Sequence, residues 1–139
     1  MVAATSLGVS GTPFVMDIER GKVREFARAT FAAVPDDDAP VAPPTFLTTA
    51  FHWQSAESDP WEQVRMDPAR GLHAEQEFVF HGPPPRAGQR LVGTSRIAEI
   101  YEKQGKRGGT MTFVVMVTEF RDAEGRLVAE TKLTGVETA

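Results

Sequence analysis

Thr45-Phe46-Leu47-Thr48-Thr49-Ala50-Phe51-His52-Trp53 is the stretch on which the fold turns. Pro44 precedes it, and proline is tolerated in the first turn of a helix, where its missing N–H would find no partner anyway. Phe46, Leu47, Ala50 and Phe51 give a wide apolar stripe. That width predicts a buried helix from about Thr45 to Trp53 rather than one lying on a wet surface.

Beyond this helix the character of the chain changes. Ser55 to Leu72 is polar and irregular, with Asp59-Pro60 and Asp67-Pro68 as turn signals and room for a short helix near Trp61 to Arg65. After it, Ala74 to Phe80 alternates, with Phe78 and Phe80 on one face. Gln89 to Tyr101, Thr110 to Phe120 and Leu127 to Val136 are three further strand candidates. Gly82-Pro83-Pro84-Pro85, Gly105 to Gly109 and Asp122-Ala123-Glu124-Gly125 separate them as breakers and turns. In Phe113 to Val117 both side-chain parities are apolar, which predicts cover on both faces, as a second subunit would provide.

Upstream, Asp17 is placed to cap a first helix from Ile18 to Thr30. Val23, Phe26 and Ala27 form its apolar stripe, and Lys22, Arg24, Glu25 and Arg28 its wet face. Ala33 to Pro44 carries four prolines and Asp36, Asp37 and Asp38, and excludes regular structure. Residues 1–13 are small and glycine-rich and are expected as a loose arm ahead of a single domain spanning 1–139. Helices first and long strands joined by short turns afterwards imply an α+β chain with an antiparallel meander. Long strands twist. A long curved antiparallel sheet wrapped around one apolar central helix is the hot-dog arrangement.

The bulk numbers narrow the function. At 139 residues the chain has the size of one ordinary domain. Such a chain buries roughly 70% of its unfolded surface, enough for a core without staples. It has no cysteine, which excludes disulfides, thiolate metal sites and a cysteine nucleophile. Its net charge is −4 with signs interspersed and no polybasic run, so neither nucleic acid nor an anionic membrane is an expected partner. No apolar stretch approaches the ~20 residues of a membrane span, and Met1 to Gly11 lacks the pattern of a signal peptide. The expectation is a cytoplasmic protein.

Four stretches resemble the N-terminal, fatty-acid-synthase-I-like type of the MaoC-like dehydratase/hydratase family. They are Asp17 to Ala29, Val41-Ala42-Pro43-Pro44-Thr45-Phe46-Leu47, Leu72-His73-Ala74-Glu75-Gln76-Glu77-Phe78, and the hairpin from Tyr101 to Val136 with its Glu119 to Gly125 turn. The resemblance implies a hot-dog fold and dimerisation through the sheets. It also implies reversible addition of water to an enoyl thioester carried by coenzyme A or an acyl carrier protein, with no cofactor and no metal. That chemistry removes a proton next to the thioester carbonyl and protonates the departing hydroxyl, work for a carboxylate and a histidine. The enolate oxygen needs a backbone N–H.

In active members of the family, the resemblance implies, an Asp and a His lie in the loop between the first and central helices. Here that loop, Phe31 to Val41, is short and contains Asp36, Asp37 and Asp38 but no histidine. Where a His-Gly pair would supply the oxyanion donor, this chain has Pro43-Pro44, and proline has no N–H to give. Thr45 still has one. Both departures point to a subunit that has lost the dyad.

The remaining candidates are individual side chains. His73 and His52, with Asp36 or Asp38, are the candidate catalytic groups, each set against a structural alternative: a histidine bonded to backbone, and a solvated acidic loop. His81 reads as structural or exposed. The histidines are not spaced i, i+4, which argues against a metal site. Thr45, Phe46, Phe51 and Trp53, with Trp61, are candidate walls of an acyl tunnel, the alternative being core. Lys106 and Arg107 in the glycine-rich turn are candidates for a carrier's phosphate, the alternative being a plain hairpin; Lys103 would join them in steering an anionic carrier.

The function expected is therefore the accessory, tunnel-forming subunit of a 3-hydroxyacyl-thioester dehydratase or (R)-specific enoyl-thioester hydratase, in fatty acid, sterol side-chain or polyketide chemistry. Its partner would be a MaoC-like catalytic subunit, in a heterodimer or heterotetramer. The alternatives are a self-sufficient homodimeric enzyme using Asp36–Asp38 with His73 or His52, and a non-enzymatic module that binds acyl thioesters.

Overall fold

The computed structural model describes residues 1–106 and 108–139. Its scaffold is a single antiparallel sheet of five strands in the order β1-β3-β4-β5-β2. The strands are β1 (Phe14–Asp17), β2 (Gly71–Phe80), β3 (Arg90–Gln104), β4 (Thr110–Arg121) and β5 (Leu127–Glu137). Among the described residues, one α-helix, α1 (Arg20–Ala29), and three 3₁₀ helices, Ala4–Ser6, Phe46–Trp53 and Pro60–Val64, precede the long strands. The α+β hot-dog reading of the sequence holds.

Alternation along the strands puts one face of the sheet against the helices. Met16, Leu91, Phe120 and Ala129 from the sheet meet Val23 of α1 and Phe46, Leu47 and Ala50 of the first long 3₁₀ helix in one buried cluster. Phe46 has no exposed surface and meets Phe26 edge to face, ring centroids 5.6 Å apart. Burying such a side chain contributes about 1.5–3 kcal/mol. Ile97 and Val114 build a second cluster with Val64, covered by Trp61 and Met66. Between the two lies a polar seam. The hydroxyls of Ser95 and Thr118 are 2.7 Å apart, and the Gln54 amide donates to the Ser95 hydroxyl at 3.2 Å.

Bulges shift the register of β3 between Ile97 and Glu99, and of β2 between His73 and Glu75. An extra residue on one strand bends it and tightens the twist. The two edges of the sheet differ. The outer edge of β3 is covered from Arg90 to Ile97 by β1 and by the segment before it, whereas β2 presents a ten-residue edge with Leu72, His73 and Ala74 exposed.

Several expectations need correction. Residues 1–13 are not loose. Gly8 and Gly11 donate backbone N–H groups to the carbonyls of Ile97 and Ser95 at 2.9 Å, Ala3 donates to Val64 at 2.8 Å, and Ser6 is buried. Gly11 lies so close to the Ser58 carbonyl that a Cβ there would stand 2.2 Å from its oxygen. Asp17 does not cap α1. It ends β1, where Arg90 donates Nε–H to it at 2.7 Å, and the cap position is Glu19. The Thr45–Trp53 helix is 3₁₀, begins at Phe46, and leaves Phe51 62% exposed. A 3₁₀ turn stacks side chains at i and i+3, so Phe46 with Thr49 and Leu47 with Ala50 go inward while Thr48 with Phe51 turns out; His52, in the last turn, is exposed as well. Val114, Val115 and Val117 are already buried within one chain.

Candidate functional site

The resemblance places chemistry in the loop between α1 and the 3₁₀ helix Phe46–Trp53. Two residues past the end of α1 stands Phe31, with φ 57° and 98% exposed. Phe31 N–H donates to Arg28 and Ala32 N–H to Ala27, which closes the helix and throws the chain outward. Three arginines then hold the loop by its backbone. Arg24 Nη1 donates to the Pro35 carbonyl. Arg20 Nε donates to Asp37 at 3.0 Å, and Arg86 Nη1 to Ala39 at 2.8 Å. Arg20 and Arg24 reach the loop together because they sit one turn apart on α1. Beyond Ala39 the chain is stitched to the segment before β3: Ala87 N–H donates to Pro40 at 2.9 Å, and Ala42 N–H to Pro85 at 2.8 Å.

This clamp leaves the Asp36, Asp37 and Asp38 side chains exposed. Asp36 meets Arg24 at 3.6 Å with its carboxylate fully in solvent. No loop carboxylate forms an ion pair with a histidine among the described residues. His52 is exposed and packs on Phe51, ring centroids 4.1 Å apart. His73 is exposed inside β2, at the bulge, rather than ahead of the strand. His81 pairs with Glu130, Nε2 to Oε2 2.6 Å. That is the one histidine–carboxylate pair among the described residues, and residues 49 apart in sequence gave no hint of it. No group of three His, Asp or Glu side chains among the described residues is arranged to hold a metal ion.

The other candidates disperse. Thr45 is exposed ahead of the 3₁₀ helix, and Phe46 N–H already donates to Pro43 at 2.9 Å. Phe46 is core, Trp53 packs partly buried against the same cluster, and Phe51 faces out. Trp61 covers Gly135, where a Cβ would stand 2.7 Å from its ring. Lys106 is exposed in the β3–β4 turn, and Arg107 lies outside the described residues. Lys103 is engaged nearby, its ammonium 5.2 Å and 5.3 Å from the stacked rings of Tyr101 and Phe113. Sequence reasoning passed over the three clamping arginines. It passed over a cavity of about 750 Å³ as well, between the Gly82–Gly88 segment and the β4–β5 turn.

The sequence profile of the FAS1-like dehydratase domain region matches residues 5–131. The chain belongs to this family. Within it, a UPF0336 protein of Parafrankia is 33% identical over 132 residues, covering 87% of this chain and 82% of that one. A UPF0336 protein of Streptomyces griseus is also 33% identical, over 100 residues, and the match spans 64% of this chain and 66% of that relative's length. Among solved structures, the HadBC (3R-hydroxyacyl-ACP dehydratase) complex of Mycobacterium tuberculosis superposes with a TM-score of 0.70 at 28% identity, covering 94% of this chain and 96% of that one. A MaoC-like dehydratase gives 0.73 at 24% identity over 95% of this chain and 42% of that one. This dehydratase-region domain is thus a MaoC-like hot-dog domain whose loop at 31–41 holds carboxylates and no histidine.

Proposed function

We propose that this chain is the accessory subunit of a heteromeric 3-hydroxyacyl-thioester dehydratase or (R)-specific enoyl-thioester hydratase, working in the cytoplasm with a MaoC-like subunit that carries the Asp and His. One observation carries the reading: the loop at the dyad's place is held by its carbonyls, turns Asp36, Asp37 and Asp38 to solvent, and contains no histidine. Water addition across an enoyl thioester needs a base and an acid on one water. Outward carboxylates without a histidine beside them do not supply both.

Two further features support the assembly. The solved HadBC relative is a complex. And β2 exposes a long unpaired edge, of the kind that monomeric proteins usually blunt or cover. In such an assembly this chain contributes a wall to the acyl-binding groove, with Trp53 and Phe78 facing it from the core, and the substrate is a coenzyme A or carrier-protein thioester.

The test is hydration of crotonyl-CoA by the purified chain, by a MaoC-like protein with an intact Asp–His loop, and by the two together. The pair is expected to exceed the sum of the separate rates. Substantial turnover by this chain alone would overturn the accessory role.

A further inference from the structure

The cavity beside β5 has a floor of Leu127 and Val128, with the buried Leu91 beneath, and walls from the Gly82–Gly88 segment and the Asp122–Arg126 turn. Its volume, about 750 Å³, lies in the range of small-molecule sites. Both walls are fixed from behind. Asp122 accepts backbone N–H groups from Glu124 at 3.0 Å and Arg126 at 2.9 Å, which locks the turn. Gly88 N–H donates to Ile18 at 2.8 Å, and Gln89 Oε1 accepts from Arg86 N–H at 2.8 Å, which locks the other side.

The charges around it are nearly all paired. Arg90 is held by Asp17 and Arg126 by Asp122 and Glu124, and the His81 ring is hydrogen-bonded to Glu130. Arg86 alone of the lining cations has no carboxylate among the described residues. Its one side-chain hydrogen bond there runs from Nη1 to the Ala39 carbonyl. The edge formed by Nε and Nη2 makes no hydrogen bond among the described residues. That edge is the planar fork that grips a carboxylate or phosphate through two parallel hydrogen bonds.

An apolar floor with one such guanidinium fork at its lip fits one class of ligand. We propose that this cavity binds a single-chain amphiphile with an anionic head, carboxylate or phosphate, its chain on Leu127 and Val128 and its head on Arg86. Because Arg86 also holds Ala39, the bound head would stand one side chain away from the 35–39 loop. The proposal is independent of the accessory role, since it is a matter of binding and needs no turnover.

Calorimetric titration of the full chain with decanoate, decyl phosphate and decanol tests it. At least one of the two anions is expected to bind about tenfold more tightly than decanol, and comparing them identifies the preferred head. Arg86→Gln should remove that advantage and leave decanol binding unchanged. Leu127→Trp, which fills the floor and leaves Arg86 and its contact with Ala39 in place, should abolish binding of all three. Circular dichroism melts of both variants establish that they fold. The proposal fails if neither anion binds better than decanol, if folded Arg86→Gln binds anions as the parent does, if Leu127→Trp leaves their affinity intact, or if none of the probes titrates.

Discussion

Phe14 lies directly across the β1–β3 ladder from Gly93, and its ring occupies the space a side chain at Gly93 would need. A Cβ built on Gly93 stands 2.3 Å from Phe14 Cζ. Phe14 in turn meets Phe120 edge to face, with centroids 6.2 Å apart, so it has no room to retreat. Gly93→Ala is therefore expected to destabilise the chain by about 1–3 kcal/mol, the usual cost of overpacking. Urea titration gives the value. Adding Phe14→Leu to Gly93→Ala should recover part of the loss, since residues in contact couple; a strictly additive double variant would refute the steric account.

Glu137 is the buried carboxylate of the sheet, its side chain 6% exposed. The Asp67 backbone N–H donates to it at 2.7 Å and Arg70 Nη2 at 3.2 Å. The Asp67 N–H, ahead of the other charges nearby, holds its pKa below the ordinary carboxylate value. A carboxyl whose folded pKa is depressed stabilises the fold above its unfolded pKa, about 4.3, and that stability is lost as pH falls through the folded value. Glu137→Gln should lower the melting temperature at pH 7 and flatten its fall below about pH 4.3. Glu137→Ala should cost about 2 kcal/mol at neutral pH, because it strands the Asp67 N–H and removes one of the two carboxylates paired with Arg70. Unchanged acid sensitivity in Glu137→Gln would assign that sensitivity to other groups.

On the opposite face of the sheet Glu119 and Glu130 are direct partners across β4 and β5. Like charges so placed destabilise a ladder. Here each carboxylate is answered, Glu119 by Arg121 at 3.1 Å and Glu130 by His81 at 2.6 Å. His81→Ala should lower stability by about 0.5 kcal/mol at low salt, and less at high salt as the repulsion is screened. Glu130→Gln should offset most of the His81→Ala loss. Melting both variants and their combination at two ionic strengths would separate a charge effect from a packing one.

How much of this was legible in the sequence depends on the range of the interactions. Strand positions could be read because alternation is local, as in Leu127 to Val136. The apolar helix after Pro44 was found, but not its 3₁₀ character. That turns on which of Phe46 and Phe51 the sheet has room for, a matter of tertiary packing. The arm at 1–13 looked loose because glycine-rich composition says nothing about the Ser95 and Ile97 carbonyls that hold it. For the site, the sequence showed what is missing, a histidine between Phe31 and Val41. It could not show what is there instead. The clamp on the loop comes from residues 17 and 47 positions away, Arg20 to Asp37 and Arg86 to Ala39. No local pattern marks either.

If the dyad belongs to a partner, the polar residues of this chain's loop and helix are dispensable for chemistry. In the active pair, Asp36→Asn, Asp38→Asn, His52→Ala and His73→Ala should each leave kcat for crotonyl-CoA within about threefold of the parent, a barrier change under ~0.7 kcal/mol. Losing a true general acid or base typically costs about 10²–10⁴ in rate, so the two outcomes do not overlap. His73 needs one further measurement. It sits on the open β2 edge, so His73→Ala could weaken assembly without touching the chemistry. Titrating the partner to saturation separates the two: a rate restored at high partner concentration reports assembly. A rate that stays roughly a hundredfold low at saturation would make that histidine part of the catalytic machinery, and with it this chain an enzyme subunit in its own right.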